Sequence, residues 1–238
     1  MRARVVAPLV AAVLGIIGGV ATAVVAPGDD AAQDVPAVSD PLHLGIPLAN
    51  LDCTGQSILV VGYGNSVPPL SSAVANSRTD GLHYLDSASS CQTLLGPEEK
   101  QTPTYVVYAG PSDSPRDPCE TRMSGEEPGS FVARLREGNE QLVKCPCEIP
   151  GTDAVRLYPD MPSDASTKLW VRGLQAMFND DDPGDFPRSA ITGVYDDVTQ
   201  ARVTVFQDNA PGKDTQPGIV DATTWGLLTD RLCRNYDY

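Results

Sequence analysis

The side chains best suited to chemistry in this chain are six cysteines, two histidines and an excess of carboxylates. Such groups supply nucleophiles, metal ligands and general acids or bases when spacing or a fold brings them together. Cys53, Cys91, Cys119, Cys145, Cys147 and Cys233 contain no Cys-x-x-Cys pair, and His43 and His83 have no ligand-like neighbours. The spacing therefore predicts no metal site and no cofactor. An even number of cysteines in an exported chain favours disulfides, with a connectivity the spacing leaves open. Cys145-Pro146-Cys147 reads either as a redox pair or as two half-cystines with different partners, and we favour the second. The run Asn179-Asp180-Asp181-Asp182-Pro183-Gly184-Asp185 has carboxylates enough for Ca²⁺, but lacks the alternating aspartates and distal glutamate of an EF-hand loop. We expect a solvated loop.

The chain sets 31 acidic residues against 17 basic ones, a net charge of −14. That balance argues against nucleic acid and anionic membrane surfaces as partners, because phosphate binding needs basic patches. Membrane contact is expected only through the N-terminus. There, Arg2 and Arg4 precede an uncharged stretch over residues 5–26. Residues 1–27 read as a targeting element with two fates: cleavage as a signal peptide at Ala21-Thr22-Ala23, or retention as an anchor. Both place the remainder outside the cytoplasm, secreted or held at the cell envelope.

Residues 28–48 read as a flexible linker, with order starting near Leu51. Residues 49–150 read as a disulfide-containing α+β domain. Strands are predicted over 57–62, 82–85 and 104–110, with helices over 69–77 and 119–123. A last strand falls at 131–135 or 141–145. This βαββαβ order predicts a split βαβ sandwich on an antiparallel sheet, with the start of its first strand beside the end of its last. That neighbourhood would bring Cys53 close to Cys145 or Cys147. A Pro-rich hinge over 151–165 then leads into an all-α three-helix domain over 166–233. Its helices are expected at 167–178, 197–208 and 222–233. The first has a core stripe of Trp170, Val171, Leu174, Met177 and Phe178.

One phrase occurs twice in this domain. Gly193-Val194-Tyr195-Asp196-Asp197-Val198-Thr199 returns as Gly218-Ile219-Val220-Asp221-Ala222-Thr223-Thr224. Each glycine suits a tight turn, and each aspartate stands at an N-cap position with threonine three residues on.

Taken in order, Trp170-Val171-Arg172-Gly173-Leu174-Gln175, the first phrase, Val203-Thr204-Val205-Phe206-Gln207 and the second phrase with Trp225 resemble the peptidoglycan-binding type 1 domain. The resemblance implies a three-helix fold and non-catalytic attachment to the bacterial cell wall. An acidic protein gripping an anionic wall polymer needs a neutral groove with aromatic faces and amide-binding polar groups. Tyr195, Gln207 and Trp225 are the candidates. Each also has a structural reading, Tyr195 and Trp225 closing the core and Gln207 capping a backbone group. The chain departs from the family pattern at Pro217 and Asp221 and in longer connectors after Phe178 and over 208–216, which would reshape a groove. The middle part is more weakly similar to SPOR-type domains, through Tyr105, Val107, Gly110 and the element order. That similarity implies binding of glycan strands. Tyr108 and the prolines at 111, 115 and 118 depart from it.

No catalytic constellation is visible: there is neither an His-Glu-x-x-His motif nor the His-Gly … Ser-x-Gly-Cys signature of L,D-transpeptidases. The sequence thus predicts a peptidoglycan-binding envelope protein. Its alternatives are a wall-acting enzyme housed in 49–150 and targeted by the helical domain, or an interaction pair that has lost its ligand site.

Overall fold

The computed structural model describes residues 39–91, 103–137, 142–210 and 214–233. The predicted leader (1–27), the first part of the predicted linker (28–38) and residue 141 of the alternative last strand lie outside these. Among the described residues, no helix is long and apolar enough to cross a membrane.

Ile58, Leu59 and Val60 are all buried, so the strand that carries them, β1 (Ser57–Gly64), lies inside the sheet. It pairs antiparallel with β3 (Tyr105–Ser112) on one side and β4 (Phe131–Arg134) on the other. The edge strand β2 (His83–Asp86) pairs with β3, giving the order β2-β3-β1-β4. Ser57 faces Arg134, so the start of β1 does lie beside the end of β4. One sheet face packs Ile58, Val60, Val106 and Tyr108 with Leu135 and Cys91. On the other face Val107 and Tyr84 meet Leu70 of α1 (Val67–Asn76), while Leu59 and Val132 meet α2 (Arg116–Met123). Helix α1 lies close on β1, and a Cβ at Gly62 would stand 2.2 Å from that of Ala73, so only glycine fits there. The architecture is α+β, with the helices α3 (Cys145–Glu148), α4 (Ala165–Asp181), α5 (Asp197–Asn209) and α6 (Ala222–Leu232) completing it.

Two segments expected to be connectors are packed. In 39–48, Leu42, Leu44, Ile46 and Leu48, apolar at every second position of a turn-rich segment, cover Leu70, Tyr84 and Val107. Asp40 Oδ1 accepts from the Leu44 N–H at 3.0 Å and the Tyr84 hydroxyl at 3.1 Å, fixing the segment's turn. Pro41, Pro47 and the acidic neighbours hid that alternation. In 151–165, Leu157 is fully buried, and it exchanges N–H···O bonds of 2.9 Å with Val220. Leu59, Val132, Met123, Leu157, Trp170, Leu174 and Trp225 form one continuous apolar cluster, so the sheet and the three helices share a core. A Cβ on Gly125 would come within 2.5 Å of the Ser166 amide, which shows how closely the turn after α2 approaches α4.

The disulfides are Cys53–Cys91, Cys119–Cys145 and Cys147–Cys233. The expected pairing of Cys53 with Cys145 or Cys147 is thus corrected. Cys53 precedes β1, where the Cys91 N–H donates to Leu51 O, while Cys145 lies past β4 in α3 beneath α2. Cys145 and Cys147 bond to different partners, and the second bond ties α3 to the end of α6. Three disulfides place the folded chain in an oxidising, extracytoplasmic compartment.

Buried Glu127 joins the turn after α2 to the end of α1. Its Oε1 accepts from Ser77 Oγ (2.7 Å), the Arg78 N–H, and the N–H and Oγ1 of Thr79 (both 3.1 Å). Burial pushes this carboxyl up, but the donors, Ser77 first, outweigh it and hold it below the usual value. A carboxyl lowered in the folded state contributes stability above the unfolded value of about 4.3 and loses it as pH falls. Glu127→Gln is therefore expected to lower the urea midpoint at pH 7 and to flatten its decline toward pH 3. Separately, Cys147→Ser with Cys233→Ser releases an 86-residue separation. The pair of changes is expected to cost about 2–4 kcal/mol in thermal unfolding.

Candidate functional site

The helical half is built around two equivalent amide clamps. Gln175 of α4 is fully buried; its Nε2 donates to Val194 O (3.0 Å) and Thr199 Oγ1 (2.9 Å), and its Oε1 accepts from the Gly193 N–H (2.8 Å). Gln207 of α5 repeats this on the second phrase: Nε2 donates to Ile219 O (2.7 Å) and Thr224 Oγ1 (3.0 Å), and Oε1 accepts from the Gly218 N–H (2.9 Å). Gly193 and Gly218 take φ of +79° and +69°, the left-handed region in which glycine alone is unstrained. Asp196 and Asp221 cap α5 and α6, each accepting from the N–H and hydroxyl of the threonine three residues on. Asp221, one of the departures from the family pattern, is thus a cap. Asp164 caps α4 through the Thr167 N–H, a third copy of the Asp-x-x-Thr device.

Tyr195, Gln207 and Trp225 are brought together by this arrangement, in the interior of the fold. Tyr195 donates its hydroxyl to Gly218 O at 2.9 Å, joining the first phrase to the second, and burial pushes its phenol far up. Trp225 is fully buried, packs edge-on against Trp170 at 5.3 Å and donates Nε1–H to Val155 O at 2.8 Å. Gln207 spends both ends of its amide on the clamp. The polar atoms of all three bond within the fold.

The acidic run also differs from expectation. Helix α4 runs on through Asp181, whose Oδ2 accepts from Arg202 of α5 (3.1 Å) and Arg231 of α6 (3.5 Å). The two guanidiniums lie over Phe178 and Phe206. Asp180 pairs with Lys144, and Asp182 accepts from the Gly184 and Asp185 amides. The carboxylates thus serve separate structural bonds. No group of three potential ligands that could hold a metal occurs among the described residues. His83 stacks on Tyr108 at 5.7 Å, and His43 occupies a left-handed turn with φ +55°.

What does open to solvent is a cleft of about 260 Å³ on the seam between the sheet half and the helices. Met123, Ile149, Val155 and Trp170 line its floor and wall; Arg116, Glu120, Asp153, Ser124 and Ser166 form its rim. Arg116 Nε bonds Glu120 Oε1 at 2.6 Å and its Nη2 bonds Asp153 Oδ2 at 2.8 Å. No sequence signal marks this set, because its members come from three segments joined only by folding. Gln175 was legible in principle: both clamp glutamines follow a core residue, Leu174 or Phe206, and precede the same glycine phrase. Compared with known protein families, curated proteins and solved structures, the chain matches none of them.

Gln207→Leu leaves the Gly218 N–H, Ile219 C=O and Thr224 hydroxyl short of a buried partner. It is expected to cost about 2–4 kcal/mol in urea unfolding. Gln175→Leu is expected to cost a similar amount, as two copies of one device require.

Proposed function

We propose that this protein is an exported bacterial cell-envelope protein that binds peptidoglycan non-catalytically, through its C-terminal three-helix half. The observation that carries the reading is the doubled Gln-Gly-Asp-Thr clamp. The residues that resemble the peptidoglycan-binding type 1 pattern serve one repeated structural purpose, the turn and cap that open α5 and α6. The disulfides support export. The strand order β2-β3-β1-β4 supports grouping the sheet half with SPOR-type split βαβ domains. With Tyr195, Gln207 and Trp225 turned inward, wall contact in this reading falls to surface groups around the module.

Because both halves share a core and a disulfide, the test uses the full-length protein. Mixed with purified insoluble sacculi, it is expected to pellet with them saturably and to leave the supernatant free of muropeptides. A protein that stays in solution at every sacculus concentration overturns the binding reading. Steady release of soluble muropeptides would instead make it a wall-acting enzyme.

A further inference from the structure

The seam cleft has a chemistry of its own. Its volume, about 260 Å³, falls just under the roughly 300–1,000 Å³ of drug-sized pockets, so it suits one side chain or small ring. Met123, Ile149 and Trp170 are all but fully buried and give it an apolar floor.

The rim offers acceptors. Arg116 holds Glu120 through one oxygen and Asp153 through one oxygen. Among the described residues, Glu120 Oε2 and Asp153 Oδ1 accept no bond. The two hydroxyls have already committed their protons: Ser124 Oγ donates to Thr121 O at 2.6 Å, and Ser166 Oγ donates to Met123 O at 2.7 Å. Two carboxylates against one guanidinium leave the rim with a net negative charge, on a chain of net charge −14. An anion is repelled there. A neutral hydroxyl can donate one bond to a carboxylate but brings no charge to offset the surplus. A primary ammonium has three donors, no acceptor and a positive charge, and complements what the rim presents.

We infer that this cleft takes a primary ammonium on a short alkyl stem: the free side-chain amine of a diamino acid in a peptidoglycan stem peptide. The stem lies along Met123, Ile149 and Trp170, and the ammonium bonds the outer oxygens of Glu120 and Asp153. The source of the amine rests on the wall-binding reading; the preference for an amine rests on the cleft alone. Because α2 belongs to the sheet half, 149–155 to the segment that joins the halves and α4 to the helices, neither half by itself contains the site.

Glu120 and Asp153 are about half exposed, so the amine's contribution is modest, about a three- to tenfold change in affinity. The full-length protein is titrated with sacculi whose free amines are intact and with sacculi whose amines have been acetylated. Binding to intact sacculi is expected to be about three- to tenfold tighter. Glu120→Gln with Asp153→Asn, both at the surface and checked for an unchanged thermal midpoint, is expected to bind the two preparations equally. Equal binding by the unaltered protein overturns the amine inference and leaves wall binding standing.

Binding to neither preparation overturns the wall-binding reading and the assigned source of the amine. The cleft is then decided by Nα-acetyl-lysine amide against its Nε-acetylated counterpart, read through the two tryptophans of the chain, one of which lines the cleft. A change in emission with the free amine alone keeps the ammonium site, and no change with either overturns it.

Discussion

A buried carboxamide that must satisfy both its donors and its acceptor is the constraint on which the helical half depends. Such a group left unpaired costs several kcal/mol, so the backbone around it has little freedom. Gln175 and Gln207 each bind the N–H of a left-handed glycine, a carbonyl in the turn and the threonine of the next helix. Those bonds fix where α5 starts relative to α4, and where α6 starts relative to α5. Hydrophobic stripes alone would allow the helices to slide. The amides set the register, and Tyr195 ties one turn to the next.

The second constraint is the joint between the halves. Leu59 and Val132 of the sheet share a core with Trp170 and Trp225, Leu157 bridges to Val220, and Cys147–Cys233 closes the joint. A helical module of this size is marginal alone, and here it borrows apolar surface from α2 and the sheet. The cleft lined by α2, 149–155 and α4 lies at this joint.

Carboxylates are plentiful in this chain, and many have structural partners. Asp164, Asp196 and Asp221 cap helices, Asp181 holds Arg202 and Arg231 together, and Glu127 gathers the end of α1. Asp40 does the same for the segment before β1. At the seam cleft, Glu120 and Asp153 both hold Arg116, and both remain about half exposed.

Local chemistry was legible in the sequence. Runs of β-branched and apolar residues gave the strands, and period-3.6 stripes gave the helices. The Gly-x-x-Asp-x-x-Thr phrase gave both turns and both caps, because glycine's backbone freedom is local and each cap is a bond between residues three apart. Even the structural readings of Tyr195, Gln207 and Trp225 could be written down beforehand. Tertiary structure alone decided which cysteines pair, that 39–48 and 151–165 are packed, and that Gln175 and Gln207 perform one task. It alone brought Arg116, Glu120 and Asp153 to one rim. These depend on contacts across tens of residues, and side-chain type constrains such distances only after the core has closed around them.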